Sequence, residues 1–178
     1  MKQLLYLLPL CIFIVIVGYF TVGLTLNPRD IPSILINQKI PLIDLKPIKG
    51  SSRGFSHKDL EGQVTLINIF GSWCSACLTE HPFLMEINDK KLVPIFGVDW
   101  REKNAEDGPR WLIQRGNPYA LVGDDPNSNA AIALGVTGAP ETFIIDRKGV
   151  IRYKHIGPIN SKNWKKILWP IIQELRKQ

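Results

Sequence analysis

Gln63-Val64-Thr65-Leu66-Ile67-Asn68-Ile69-Phe70 runs through Gly71-Ser72 into Trp73-Cys74-Ser75-Ala76-Cys77, and the fold turns on this passage. The first eight residues are apolar and β-branched enough to read as a strand, and the stretch opened by Cys74 reads as a helix. Two cysteines three positions apart at a helix start can close into a small disulfide ring and reopen. The first sits where unpaired backbone N–H groups and the positive end of the helix dipole favour an anion. That placement lowers a cysteine pKa, and the thiolate is the reactive form. The pair is expected to exchange thiols for disulfides rather than to staple the fold. Cys74, nearer the helix start, is the expected nucleophile, and Cys77, one turn on, the resolving thiol.

Working outward, residues 92–98 form a second strand candidate and residues 104–116 a helix stopped by Gly116. A short strand at 119–122 and a turn at Asp125-Pro126-Asn127 lead into a helix over 128–134. Residues 142–146 and 150–155 flank Arg147-Lys148-Gly149 as a β-hairpin, and an amphipathic helix over 161–177 closes the chain. Pro82 and Pro170 fall inside helices, where each removes a hydrogen bond. The order β-α-β-α-β-α-β-β-α implies an α/β fold, a central mixed sheet flanked by helices. A CxxC at the end of the first long strand of such a pattern is the thioredoxin-like signature.

The 178 residues allow one ordinary domain and an appendage. No charge occurs from Gln3 to Pro28, and residues 4–24 are almost wholly apolar. At 1.5 Å per helical residue this run covers roughly 30 Å, the hydrocarbon thickness of a bilayer. It reads as an uncleaved transmembrane anchor; a cleaved signal peptide is the alternative, with a shorter apolar region and a small-x-small site as its marks. Lys2 and the terminal amine on one side, against Arg29 and Asp30 on the other, leave the N-terminus in the cytoplasm and export the rest. The expected division is an anchor at 1–26, an extended linker at 27–50 marked by Pro28, Pro32, Pro41 and Pro47, and the catalytic domain at 51–178. Of three cysteines, Cys11 lies in the apolar run and reads as apolar filler. The net charge of +6 comes from scattered Lys and Arg without an aromatic-interleaved basic run, so nucleic-acid binding is not expected.

Taken together, these segments resemble the membrane-anchored, thioredoxin-like CcmG/DsbE family of bacterial cytochrome c biogenesis. The resemblance is carried by Asn27-Pro28-Arg29-Asp30-Ile31-Pro32-Ser33, Trp73-Cys74-x-x-Cys77-x-x-Glu80-His81-Pro82, Gly116-Asn117-Pro118-Tyr119-Ala120-Leu121, Gly138-Ala139-Pro140-Glu141-Thr142-Phe143 and Ile151-Arg152-Tyr153-Lys154-His155-Ile156-Gly157. It implies a protein-disulfide reductase that keeps the haem-binding cysteines of apocytochrome c reduced, or acts on a haem-ligation component of that pathway. It further implies a DsbD/CcdA-type membrane electron donor and a periplasmic catalytic domain on the inner (cytoplasmic) membrane, with no cofactor beyond the Cys74–Cys77 disulfide. Pro140 resembles the cis-proline that faces the disulfide, so that the backbone at Ala139 could pair with an extended substrate. Trp73 would form an apolar lip, Glu80 would handle protons where Asn68 replaces the thioredoxin aspartate, and Glu141 would modulate the site. Two positions depart from the family pattern: Ser75 stands where proline is usual, and Thr137 where tyrosine is common.

Two rival functions share this layout. A copper chaperone of thioredoxin-like fold could use Cys74, Cys77 and His81, but such proteins place three residues between the cysteines. A structural zinc site would want a fourth ligand, and no metal is expected. A periplasmic dithiol oxidase would run the same chemistry in reverse, since direction depends on reduction potential and electron supply.

Overall fold

The computed structural model describes residues 2–25 and 34–177, with side chains in the first stretch at 8–23. The chain divides into two compact units, Met1–Ile31 and Pro32–Gln178. The first is built on one helix, α1 (Lys2–Thr25), uncharged throughout residues 8–23, with Cys11 exposed. Among the described residues no helix is long and apolar enough to cross a membrane. The expected crossing at 4–24 extends past residues 8–23 at both ends.

The second unit is a seven-stranded sheet in the order β2-β1-β5-β4-β3-β6-β7. Its strands are β1 (Asp44–Pro47), β2 (Phe55–Ser56), β3 (Thr65–Phe70), β4 (Ile95–Trp100), β5 (Leu121–Asp125), β6 (Glu141–Ile145) and β7 (Ile151–Ile156). The helices are α2 (Ser75–Asp89), α3 (Asp107–Arg115), α4 (Asn129–Ala133), α5 (Ser161–Asn163) and α6 (Trp169–Leu175), the last two joined by a π turn over Trp164–Leu168. β3 runs parallel to β4 and β4 to β5, whereas β6 pairs antiparallel with β3 and β7 with β6. This is the expected mixed α/β sheet.

β3 reads as a nearly continuous apolar run because helices cover both faces of the sheet. Leu66 and Phe70 enter the cluster that holds Leu84 and Ile87 of α2, Trp111 and Leu112 of α3, and Trp164, Leu168 and Ile172. Ile67 and Ile69 enter the opposite cluster with Phe96, Val98, Phe143, Ala130 and Leu134. Asn68 alternates with the first set and is the polar residue of that face. The loop after β3 delivers Cys74 to the start of α2 at the carboxyl ends of the parallel strands, where α/β sheets place their sites.

The linker expected at 27–50 is corrected in its second half; its first part, like the rest of 26–33, lies outside the described residues. Ile40, Ile43, Leu45 and Ile48 are buried, β1 pairs with β2 and β5, and Lys39 bridges to Val150. Alternation in Ile43-Asp44-Leu45-Lys46 is a half-buried strand's pattern, and burying those apolar side chains outweighs the extended habit that prolines give a spacer. The sheet therefore has two more strands than the sequence order suggests, and the domain begins earlier than residue 51.

Candidate active site

Cys74 is the N-cap of α2, with extended backbone (φ −90°, ψ 106°), and its Sγ accepts the Cys77 N–H at 3.0 Å. The two cysteines form a disulfide, with Cα atoms 5.3 Å apart. Cys74 is 5% exposed and Cys77 2%, so little of either is open beyond the mouth of the site. Trp73 stands beside them at 48% exposure, its indole N–H donating to the Trp100 carbonyl at 3.0 Å. The Ala139–Pro140 peptide bond is cis, immediately before β6, with Ala139 packed against the core cluster that contains both cysteines.

Glu80, one turn after Cys77, is 1% exposed. Its Oε1 accepts from Asn68 Nδ2 at 2.9 Å and its Oε2 from the Ile159 N–H at 2.8 Å. Burial pushes its carboxyl up to about 7, against the lowering effect of those two bonds. Asn68 also donates to Thr142 Oγ1 at 3.0 Å and accepts from the Tyr119 hydroxyl at 2.8 Å. Burial, then the charges of Glu80 and Asp99, raise the Tyr119 phenol well above its ordinary value, so it is a neutral donor. Asn68 is thus the fixed hub that orients a protonatable carboxyl under the disulfide end of α2. The sequence named Asn68 and Glu80, but not Tyr119, Thr142 or Ile159 as their partners.

Glu141 is fully buried. Its Oε1 accepts from the Thr137 N–H at 3.0 Å and the Thr137 hydroxyl at 2.5 Å, so Thr137 is bound to this carboxylate. Lys154 Nζ lies 2.9 Å from Oε2 as an ion pair outside hydrogen-bond alignment and donates to the Gly135 carbonyl at 2.7 Å. A buried cation and carboxylate therefore secure both ends of segment 135–141, which carries Ala139 and Pro140. Lys154 was not singled out in the sequence; a lysine in a hairpin strand carries no signal of burial.

His81 is buried, stacked edge-on to Trp111 with centroids 4.4 Å apart, and its Nε2 lies 3.1 Å from the Gly116 carbonyl. Burial lowers its pKa, which keeps it neutral. Its ring is thus engaged by α3 and the loop after it, and no group of three or more His, Cys, Asp or Glu among the described residues could hold a metal ion.

A model of the redoxin family matches residues 36–168. Thiol:disulfide interchange protein DsbE of Pseudomonas aeruginosa is 38% identical over 175 residues, covering 98% of this chain and 96% of that protein. This chain belongs to the DsbE thiol:disulfide interchange proteins. The DsbE of Vibrio cholerae is 34% identical over 98% of this chain and 96% of its own length. A crystal structure from Chlorobium tepidum, assigned as thiol:disulfide interchange protein DsbE, superposes with a TM-score of 0.68 at 25% identity, over 80% of this chain and 99% of that one. The fold is thioredoxin-like, and this DsbE-family chain is a thiol:disulfide interchange enzyme whose CxxC pair is Cys74–Cys77.

Proposed function

We propose that this DsbE-family enzyme works as a membrane-anchored, periplasmic protein-disulfide reductase. Its substrate is the disulfide formed by the haem-binding cysteines of an apocytochrome c, or by a partner in cytochrome c maturation. The apolar run at 4–24 is the single-pass anchor, with the N-terminus in the cytoplasm. A DsbD/CcdA-type membrane protein returns the electrons. What carries this reading is the Cys74–Cys77 pair at the head of α2 with Glu80 buried one turn below it.

In the reduced enzyme, the Cys74 thiolate attacks one sulfur of the substrate disulfide, and the other leaves as a thiolate that takes up a proton. Cys77 then attacks Cys74 Sγ. Its own proton must leave, and Glu80, poised near neutrality and held by Asn68 and Ile159, is the acceptor on the same helix. The second substrate sulfur departs, the substrate is a dithiol, and the enzyme holds the disulfide. Two electrons have passed to the substrate, and the donor restores them. Trp73 forms an apolar wall of the site, Ala139 and Pro140 offer backbone to an extended chain, and Glu141 fixes that segment from beneath.

The deciding experiment equilibrates the protein in thiol redox buffers and reads the Cys74–Cys77 potential. A value near or below about −270 mV, the range of thioredoxin, supports a reductant that depends on a membrane donor. A value near about −120 mV, the range of strong oxidants, would reverse the direction.

A further inference from the structure

The β3–α2 connection is a hydrogen-bonded turn in which the Cys74 N–H donates to the Gly71 carbonyl at 3.1 Å, with Ser72 and Trp73 at its corners. The first corner N–H has no partner within such a turn, and a half-buried backbone donor needs one from elsewhere. Glu102, in the β4–α3 loop, supplies it. Ser72 N–H donates to Oε1 at 2.5 Å, and the Ser72 hydroxyl donates to Oε2 at 2.7 Å.

The second corner is tied to the same loop, through the Trp73 indole bond to Trp100 and an edge-on contact of the two indoles at 5.8 Å. Gly71 leaves room for this. A Cβ there would lie 2.5 Å from Trp73 Nε1 and 3.1 Å from the Trp100 carbonyl oxygen.

The loop itself is braced. Arg101 holds φ +53°, a left-handed conformation that persists in a non-glycine residue where its surroundings impose it. Trp100 Nε1 donates to Ser128 Oγ at 2.9 Å, and the Arg101 N–H to the Asp125 carbonyl at 3.4 Å. Behind Glu102, the Asp99 carboxyl is buried, with Oδ1 lacking a hydrogen-bond partner, and a Cβ on Gly108 would collide with it. Burial pushes Asp99 up to about 8, reinforced by Glu102, Asp124 and Asp107.

We propose that Glu102 is a positioning residue of the exchange site: through its two bonds to Ser72 it sets turn 71–74 so that Cys74 Sγ is presented to an incoming disulfide. Glu102 exchanges neither electrons nor protons in this role. The inference rests on Cys74 being the attacking thiol.

The test uses the reduced full-length chain at pH 7 and reads two rates, exchange with glutathione disulfide and alkylation by iodoacetamide. Glu102→Ala is expected to slow both on the order of tenfold, the usual effect of losing a charge-assisted hydrogen bond at a reacting geometry. Glu102→Gln can still accept from the Ser72 N–H and donate to its hydroxyl oxygen, so it stays within about threefold of the native rate. Ser72→Ala slows the native protein by about threefold but leaves Glu102→Ala unchanged.

A carboxylate acting through charge alone gives the opposite sign. Removing it favours the Cys74 thiolate, so both Glu102 variants react faster, and that outcome overturns the proposal. Unchanged rates with only a lowered Tm overturn it as well. Should Glu102→Ala not fold, Ser72→Ala and Glu102→Gln decide: a native rate in Ser72→Ala, or a tenfold loss in Glu102→Gln, sinks it. Labelling of Cys77 instead of Cys74 in the native chain, read from the mass of the modified peptide, would sink the nucleophile assignment and this proposal together. Labelling at Cys74 with insensitive variant rates sinks only this proposal.

Discussion

Glu80 shows how one side chain ties stability to chemistry. Unfolded, it releases its proton near 4.5; folded, it keeps it to about 7. Between those values the folded state binds more protons than the unfolded state, so stability falls as pH rises. The loss is about 3 kcal/mol and is complete above about 7. Urea unfolding at pH 4.5 and pH 8 should show this slope in the native chain, and Glu80→Gln should remove it. That variant should also be less stable at pH 4.5 by about 1–3 kcal/mol, because its NH2 replaces one accepting oxygen and sets donor against donor at Asn68 Nδ2 or the Ile159 N–H. Lys154 and Glu141 invite a second measurement. Lys154→Met leaves a carboxylate buried without its cation and is expected to cost about 3–5 kcal/mol. Adding Glu141→Gln should recover part of that loss in the same unfolding assay. The cysteines were legible from their spacing and Glu80 from its helical offset. Tyr119 and Lys154 were not, since a hydrogen bond across 51 residues of chain and an ion pair across 13 arise from strand order alone.

The elements were legible where periodicity was long and the interior was decisive. β3, α2, the β6–β7 hairpin and the closing helical stretch stand where their patterns put them, with ends shifted by a few residues. α3 begins at Asp107 rather than 104, and β5 extends to Asp125 because its pairing with β4 runs on to Trp100. The closing helix contains a π turn, in which the Trp169 N–H reaches Trp164, just before Pro170. β1 and β2 were missed, being four and two residues long, too short for a pattern to stand out. Their docking is close: a Cβ added at Gly123 in β5 would lie 2.4 Å from Leu45 Cβ. Gly123→Ala is therefore expected to destabilise the protein by about 1–3 kcal/mol, as overpacking does, and amide exchange should show the loss concentrated in β1 and β2. At the start of α5, Asn160 accepts from the Lys162 and Asn163 N–H groups, and Asn160→Ala should cost about 1 kcal/mol in thermal unfolding.

At the scale of the molecule, the proposed anchor makes one plain demand. The full-length chain should remain with the membrane fraction after alkaline carbonate washing, and a chain starting at residue 32, the boundary of the second compact unit, should be released; release of the full-length chain would remove the anchor from the proposal. The sequence by itself determined the thioredoxin-like class, the exchanging cysteine pair and the family, because these rest on local facts: a strand-to-helix passage, a three-residue spacing and motifs read in order along the chain. Tertiary structure alone decided that Asp44–Pro47 joins the sheet and that Asn68, Tyr119, Thr142 and Ile159 gather around Glu80. It alone placed Lys154 beneath the 135–141 segment and Glu102 against Ser72. Each of these joins residues distant in sequence, and burial between packed layers is what turns an ordinary carboxylate, amide or lysine into a fixed and strongly perturbed group.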